Sequence, residues 1–228
     1  MAKLFVFPAT NDSWFIFPTL SEYSISVGDA VLMGIPKEST GHQADLVVDT
    51  VDKILSLMDS KGTPLRFIRV HLSESDIPDA VISLLTPMYE TRWDEVIVTL
   101  CDSISCVSMS MYLASVIYAS WAEGRTSPRI VVLVPSRASQ KQVAVPLPII
   151  RMPRDPRLLE ELQKNPRARL VDLQPKLRRH ASTVSRQINA AIDGGYVVDE
   201  SGSYRLTQLG NILVTLWHFR NSVSRSGA

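Results

Sequence analysis

Ala168-Arg169-Leu170-Val171-Asp172-Leu173-Gln174-Pro175-Lys176-Leu177, then Ser182-Thr183-Val184-Ser185-Arg186-Gln187-Ile188, then Gly194-Gly195-Tyr196-Val197-Val198 and Ser203-Tyr204-Arg205-Leu206, carry the clearest structural pattern in the chain. The spacing predicts a short helix, a tight turn and a second helix whose buried face is Val184, Ile188 and Ala191. Gly194-Gly195 reads as the stop of that helix. Two short strands follow, around the turn Glu200-Ser201-Gly202.

This is the layout of a winged helix-turn-helix, whose second helix can lie in a DNA major groove. With Val184 and Ile188 turned to the core, Ser182, Thr183, Arg186, Gln187 and Asn189 project away from it. Gln and Asn suit adenine edges, Arg suits guanine, and Ser or Thr suits a phosphate or a base. Arg169, Lys176, Arg178 and Arg179 flank the turn and Arg205 lies in the second strand, completing the expected DNA contacts. Two residues depart from the usual motif. Arg179 stands where an apolar turn residue is common, and Pro175 sits inside the first helix, which tolerates it if the helix starts shortly before. Winged helices also serve as protein-docking modules, which is the competing reading.

The charge distribution favours DNA. Residues 151–228 hold 13 Lys+Arg against 7 Asp+Glu, a balance of +6, whereas residues 1–150 hold 11 against 16, a balance of −5. A near-neutral total therefore hides two oppositely charged parts, and the basic one coincides with the helix-turn-helix pattern.

At 228 residues, with 45% hydrophobic and 21% charged side chains, the chain suffices for one sizeable core and a small second domain. It has no apolar run near the ~20 residues of a membrane span and no leader pattern, so no membrane partner and a cytoplasmic location are expected. Cys101 and Cys106 show no metal spacing with the four histidines and read as small buried hydrophobes; no metal site is expected.

The first 150 residues alternate regularly. Leu4–Phe7, Ala30–Ile35, Phe67–Val70, Val96–Leu100 and Ile130–Val134 are short apolar runs rich in β-branched or aromatic residues, and read as buried strands. Helix-length stretches separate them. Ala44–Met58 is expected to place Leu46, Val47, Val51, Ile54, Leu55 and Met58 on one face, and Ile77–Met88 and Ile104–Trp121 follow the same logic. Such alternation predicts an α/β fold, a Rossmann-like and mostly parallel sheet covered on both faces. Val143–Ile150 could add a last strand, restricted by its prolines to an edge or a bend. The domain reading is a sheet domain over residues 1–150, a linker over 151–156 and a winged helix-turn-helix over 157–228. Met109, Met111, Tyr112, Val116, Tyr118 and Trp121 exceed what one buried helix face needs, which predicts that the first domain dimerises.

Ligands of such sheets bind outside the carboxyl ends of the strands. Two of those ends are polar here: Thr10, Asn11, Asp12 and Ser13 after the first strand, and Asp102, Ser103, Ile104 and Ser105 after the fourth. Small hydroxyl residues at a helix start can meet a ligand while free backbone N–H groups face an anion. Plain N-capping by Asp12, Ser13, Asp102 or Ser103 is the competing reading. The dinucleotide fingerprint G-x-G-x-x-G and the Walker A loop are both absent, which disfavours NAD, FAD and P-loop nucleotides.

The domain order and loop positions resemble the CRISPR-associated transcriptional regulators of archaea, in which a CARF domain (CRISPR-associated Rossmann fold) precedes a winged helix. The resemblance rests on Leu4–Ser13, Val96–Ser105 with the helix after it, and 168–206. It implies a homodimer in which the loops after the first and fourth strands of both subunits meet at the two-fold axis. It further implies cyclic oligoadenylate, typically cyclic tetra-adenylate, as effector on Thr10–Ser13 and Asp102–Ser105, double-stranded DNA as partner, and a role in antiviral defence. No other cofactor is expected. Asp102 departs from the small uncharged residues common there, and would have to cap the helix or accept from a ribose hydroxyl or an adenine amino group. Some CARF proteins cleave their cyclic ligand. Here only Ser13, Ser103 and Ser105 could assist, with no His or Lys in the loops, so no catalytic residue is assigned. A regulator answering to an unrelated small molecule is the remaining alternative.

Overall fold

The computed structural model describes residues 2–9, 14–37, 42–59, 65–101, 105–121, 128–136, 141–148 and 156–226. The chain divides into two compact units, Met1–Ile150 and Arg151–Ala228. No helix among the described residues is long and apolar enough to cross a membrane.

The first unit is α/β and Rossmann-like. Its elements are β1 (Lys3–Pro8), α1 (Ile16–Glu22), β2 (Ala30–Pro36), α2 (His42–Asp59), β3 (Arg66–Leu72), α3 (Ile77–Glu90), β4 (Glu95–Thr99), α4 (Cys106–Trp121), β5 (Arg129–Ser136) and β6 (Lys141–Val145). The six strands form one sheet in the order β3-β2-β1-β4-β5-β6, with β1 to β5 parallel and β6 antiparallel on the edge. The five expected strands all form. Most extend a residue or two beyond their apolar runs because ladder pairing continues through flanking residues such as Pro8, opposite Gly34. The last strand begins earlier than expected and ends before Pro146, which cannot donate to a ladder. Helix α1 has no counterpart among the expected helices: seven residues, about two turns, are too few to show a period.

Strand alternation divides the core. Phe5, Phe7, Val31, Met33, Ile35, Ile97 and Leu133 point to one face and pack with Phe15, Ile16 and Leu20 of the α1 region and Ala44, Val48, Val51 and Leu55 of α2. Among the described side chains the buried stripe of α2 is Ala44-Val48-Val51-Leu55; those of Ile54 and Met58 lie outside the described residues. Leu46, expected inside, is 51% exposed, because the helix is rotated so that Ala44 meets the sheet. Gly34 faces the other side, where a Cβ would meet Leu72 Cδ1 at 2.9 Å and approach Met111 and Val107 of α4. Helices α3 and α4 pack together, with Tyr89 and Tyr118 in edge contact at 4.8 Å. Burial within the monomer accounts for much of the apolar excess on α4, since Met111, Val116 and Tyr118 are all internal. Met109 is exposed, Tyr112 is half-buried, and the side chain of Trp121 lies outside the described residues.

The second unit runs α5 (Arg157–Lys164), β7 (Ala168–Arg169), α6 (Leu170–Leu177), α7 (Ala181–Asp193), β8 (Val197–Glu200), β9 (Ser203–Leu206) and α8 (Gln208–Ser226). A three-stranded antiparallel sheet has the order β7-β9-β8. Ala168 and Arg169, expected to open the first helix, instead pair with Tyr204 and Ser203, so the helix starts at Leu170. That late start leaves Pro175 in a helix of only eight residues. Helix α7 buries Val184, Ile188 and Ala191 as its period requires. It closes on Gly194 and Gly195, the latter at φ +74°, and Tyr196 N donates back to Ala191 O at 2.8 Å. The β8–β9 turn has Ser201 and Gly202 at φ 58° and 87°, the two positive values of a type I′ hairpin. Of the expected linker, residues 151–155 lie outside the described residues, and Pro156 is the buried N-cap of α5.

Candidate functional site

Two places can carry chemistry. In the first unit the strand order reverses between β1 and β4, which pair in parallel with Val6 opposite Val98. Helices α1 and α4, which follow these two strands, pack on opposite faces of the sheet, the arrangement that in open α/β sheets places a ligand crevice at the carboxyl edge. The topology thus makes neighbours of the two strand ends that carry the expected ligand residues. Thr10, Asn11, Asp12, Ser13, Asp102, Ser103 and Ile104 lie outside the described residues.

Ser105 is described, and its hydroxyl is occupied. Its Oγ accepts from Ser108 N at 3.1 Å, the N-cap arrangement for α4, and donates to Ser108 Oγ at 3.3 Å. The Cys101 thiol lies against both hydroxyls, and Cys101 N donates to Ser108 Oγ at 3.3 Å. Cys101 is buried as expected, whereas Cys106 is exposed, because the first turn of α4 presents it away from the sheet. Thr99, the last residue of β4, is fully buried and its Oγ1 has no hydrogen-bond partner among the described residues. The Gln142 amide of β6 donates to Thr19 Oγ1 and to Phe15 O, tying the edge strand to the start of α1. The described residues that adjoin segments 10–13 and 102–104 in the chain, Ala9, Trp14, Cys101, Ser105 and Cys106, include no cation and no carboxylate. No group of three His, Cys, Asp or Glu among the described residues is placed to hold a metal ion.

The second place is the α6–turn–α7 hairpin. Arg178 ends α6 in the left-handed conformation, φ 52°, and Arg179 N donates to Gln174 O at 3.4 Å. This compact turn gathers Gln174, Pro175, Arg178, Arg179 and His180 around one shallow concavity. Lys176 and Arg178 are exposed and Arg179 is half-buried. On α7, Ser182, Arg186 and Asn189 are exposed and Thr183 and Gln187 are half-buried, so all five expected contacts lie off the buried stripe. Among the described residues Lys176, Arg178 and Arg186 have no carboxylate partner, which leaves their charges available.

No family model and no curated protein matches this chain. Among solved structures it is similar to a pantoate-beta-alanine ligase from Francisella tularensis, complexed with Beta-gamma ATP and beta-alanine, at 12% identity over 91% of this chain and 86% of that one, with a TM-score of 0.31. A score this low carries no argument.

The hairpin beside α7 differs from the expectation in one respect. Arg205 is exposed, but its Nε donates to Glu200 Oε1 at 2.9 Å. Glu200 also holds Arg167, Nε to Oε2 at 3.4 Å. Arg169 lies at the junction of β7 and α6, where its backbone N donates to Asp172 Oδ2 at 3.0 Å and completes half a capping box. Glu200 carries no signal in the sequence beyond its place before a turn. The pairing depends on three strands coming together.

Proposed function

We propose that this chain is a ligand-controlled, homodimeric DNA-binding regulator of CRISPR–Cas loci. In this reading residues 157–228 form a winged helix-turn-helix and residues 1–150 a CARF-like sensor for cyclic oligoadenylate. The observation that supports DNA binding best is α7: its buried stripe is apolar and its open side offers Ser182, Arg186, Gln187 and Asn189, next to a turn with two arginines. The adjacency of the β1 and β4 ends supports a ligand site at the carboxyl edge. The nature of that ligand, cyclic tetra-adenylate, rests on the resemblance to the CARF regulators.

The mechanism follows from two-fold symmetry. Two copies of α7 would enter successive major grooves on one face of the duplex, with Arg178, Lys176 and Arg169 against phosphates. The ligand would act by favouring one spacing of the two readers over another, which requires different affinities for the two arrangements.

Fluorescence anisotropy on a set of labelled duplexes, with and without cyclic tetra-adenylate, tests both halves. Arg186→Ala should cost about 1–3 kcal/mol of discrimination between sites. If that variant keeps both affinity and sequence preference, α7 is not the reader. If cyclic tetra-adenylate gives no heat of binding and leaves DNA affinity unchanged, the effector assignment fails.

A further inference from the structure

The outward side of the small sheet carries a carboxylate, Glu200, for which the DNA-binding reading has no use. Register places Ser203 opposite both Arg169 and Glu200, and Arg205 opposite Val198. Strand alternation then puts Arg169, Glu200, Ser203 and Arg205 on one face, while Leu206 turns inward to the core. Arg167, immediately before β7, reaches the same carboxylate. One carboxylate therefore spans the sheet, binding a guanidinium from either side through Nε. Three arginines and one glutamate leave this face strongly positive.

The ion pairs do little for stability. The side chains of Arg167 and Arg205 are 73% and 48% exposed, and exposed pairs of this kind are worth little in folding. Their effect falls instead on whatever anion approaches the face. From this geometry we infer that Glu200 is an acidic latch on a phosphate-binding surface. It occupies Arg167 and Arg205 in the free protein, and the phosphodiester backbone of duplex DNA must displace it to engage them. The inference rests on the DNA-binding reading and adds a residue that sets the sequence-independent part of the affinity. The face matches a polyanion by charge, and a carboxylate repels every phosphodiester backbone alike, so the latch governs all duplexes in the same way.

Glu200→Gln removes the charge and keeps the shape. A carboxylate roughly 6–8 Å from a bound phosphate, at low salt, corresponds to about a three- to tenfold penalty in affinity. In the full-length chain at about 50 mM salt, the variant should bind every duplex tighter by that factor. The slope of log K against log salt should change by less than about one, since the same arginines meet phosphate in both forms. Sequence preference and melting temperature should stay at wild-type values. Adding Arg167→Ala and Arg205→Ala to Glu200→Gln should abolish the gain. Unchanged or weaker binding by Glu200→Gln, alongside the expected loss of discrimination by Arg186→Ala, overturns the latch and leaves the DNA reader standing. Absence of duplex binding by both wild type and Glu200→Gln removes the latch and the reader together.

Discussion

Gly210→Ala sets two physical effects against each other, and the structure says which wins. Gly210 occupies the first turn of α8, where alanine would ordinarily stabilise a helix by about 1 kcal/mol over glycine. Here a Cβ would sit 2.2 Å from Tyr196 O, 3.1 Å from the carbonyl carbon and 3.2 Å from Leu206 Cδ2. The nearest atom is backbone, so no rotamer change relieves it and α8 must retreat by about 1 Å. That retreat strains a connected set of bonds. Thr207 N donates to Tyr196 O at 3.0 Å, Thr207 Oγ1 donates to Gly195 O at 2.7 Å, and Gly210 N donates to Thr207 Oγ1 at 3.1 Å. Weakening two or three of them, at roughly 0.5–1.5 kcal/mol each, with the packing strain of an overfilled contact, outweighs the propensity gain. The expected net loss is about 2 kcal/mol, which for a unit of this size lowers its midpoint by about 8–16 °C. Scanning calorimetry of the full chain, combined with hydrogen exchange, reads the effect by location. Amides of α7, β8 and α8 should lose protection while those of the six-stranded sheet keep theirs. A variant that melts at or above the wild-type temperature refutes the close-approach argument.

Two other outcomes follow from local geometry. Arg178→Gly places the natural left-handed residue at φ 52°, so it should raise stability slightly or leave it unchanged while weakening binding to all duplexes alike. Spectrophotometric titration with thermal melts checks the buried phenols. Burial pushes the Tyr118 and Tyr196 hydroxyls above their ordinary value near 10. The stability they contribute is intact below that value and is lost as pH rises through the raised one; melts that are flat across the alkaline range would contradict it.

Strands β1, β2 and β4 were legible because each is a short, nearly continuous apolar run, and a strand buried on both faces needs no wider context to show itself. The stripe Val184-Ile188-Ala191 was legible for a similar reason, since a helical period is a local property of the chain. From these the sequence alone determines an α/β sheet unit, a helix–turn–helix with a hairpin, and the polar side of α7. What it left open depends on partners far apart in the chain. The rotation of α2 that exposes Leu46, and the burial of Met111, Val116 and Tyr118, follow from how helices dock on the sheet. Ser105 is expected as a ligand contact from its place after the fourth strand, and only the folded first turn of α4 shows Ser108 N donating to its oxygen. Ala168 and Arg169 become a strand only because β9 arrives beside them 35 residues later. Glu200 acquires two arginines by that same pairing, and Gly210 becomes indispensable only where α8 meets the carbonyl of Tyr196. Local periodicity decides which elements form. Close approach between distant backbones decides which side chains they free, bury or neutralise.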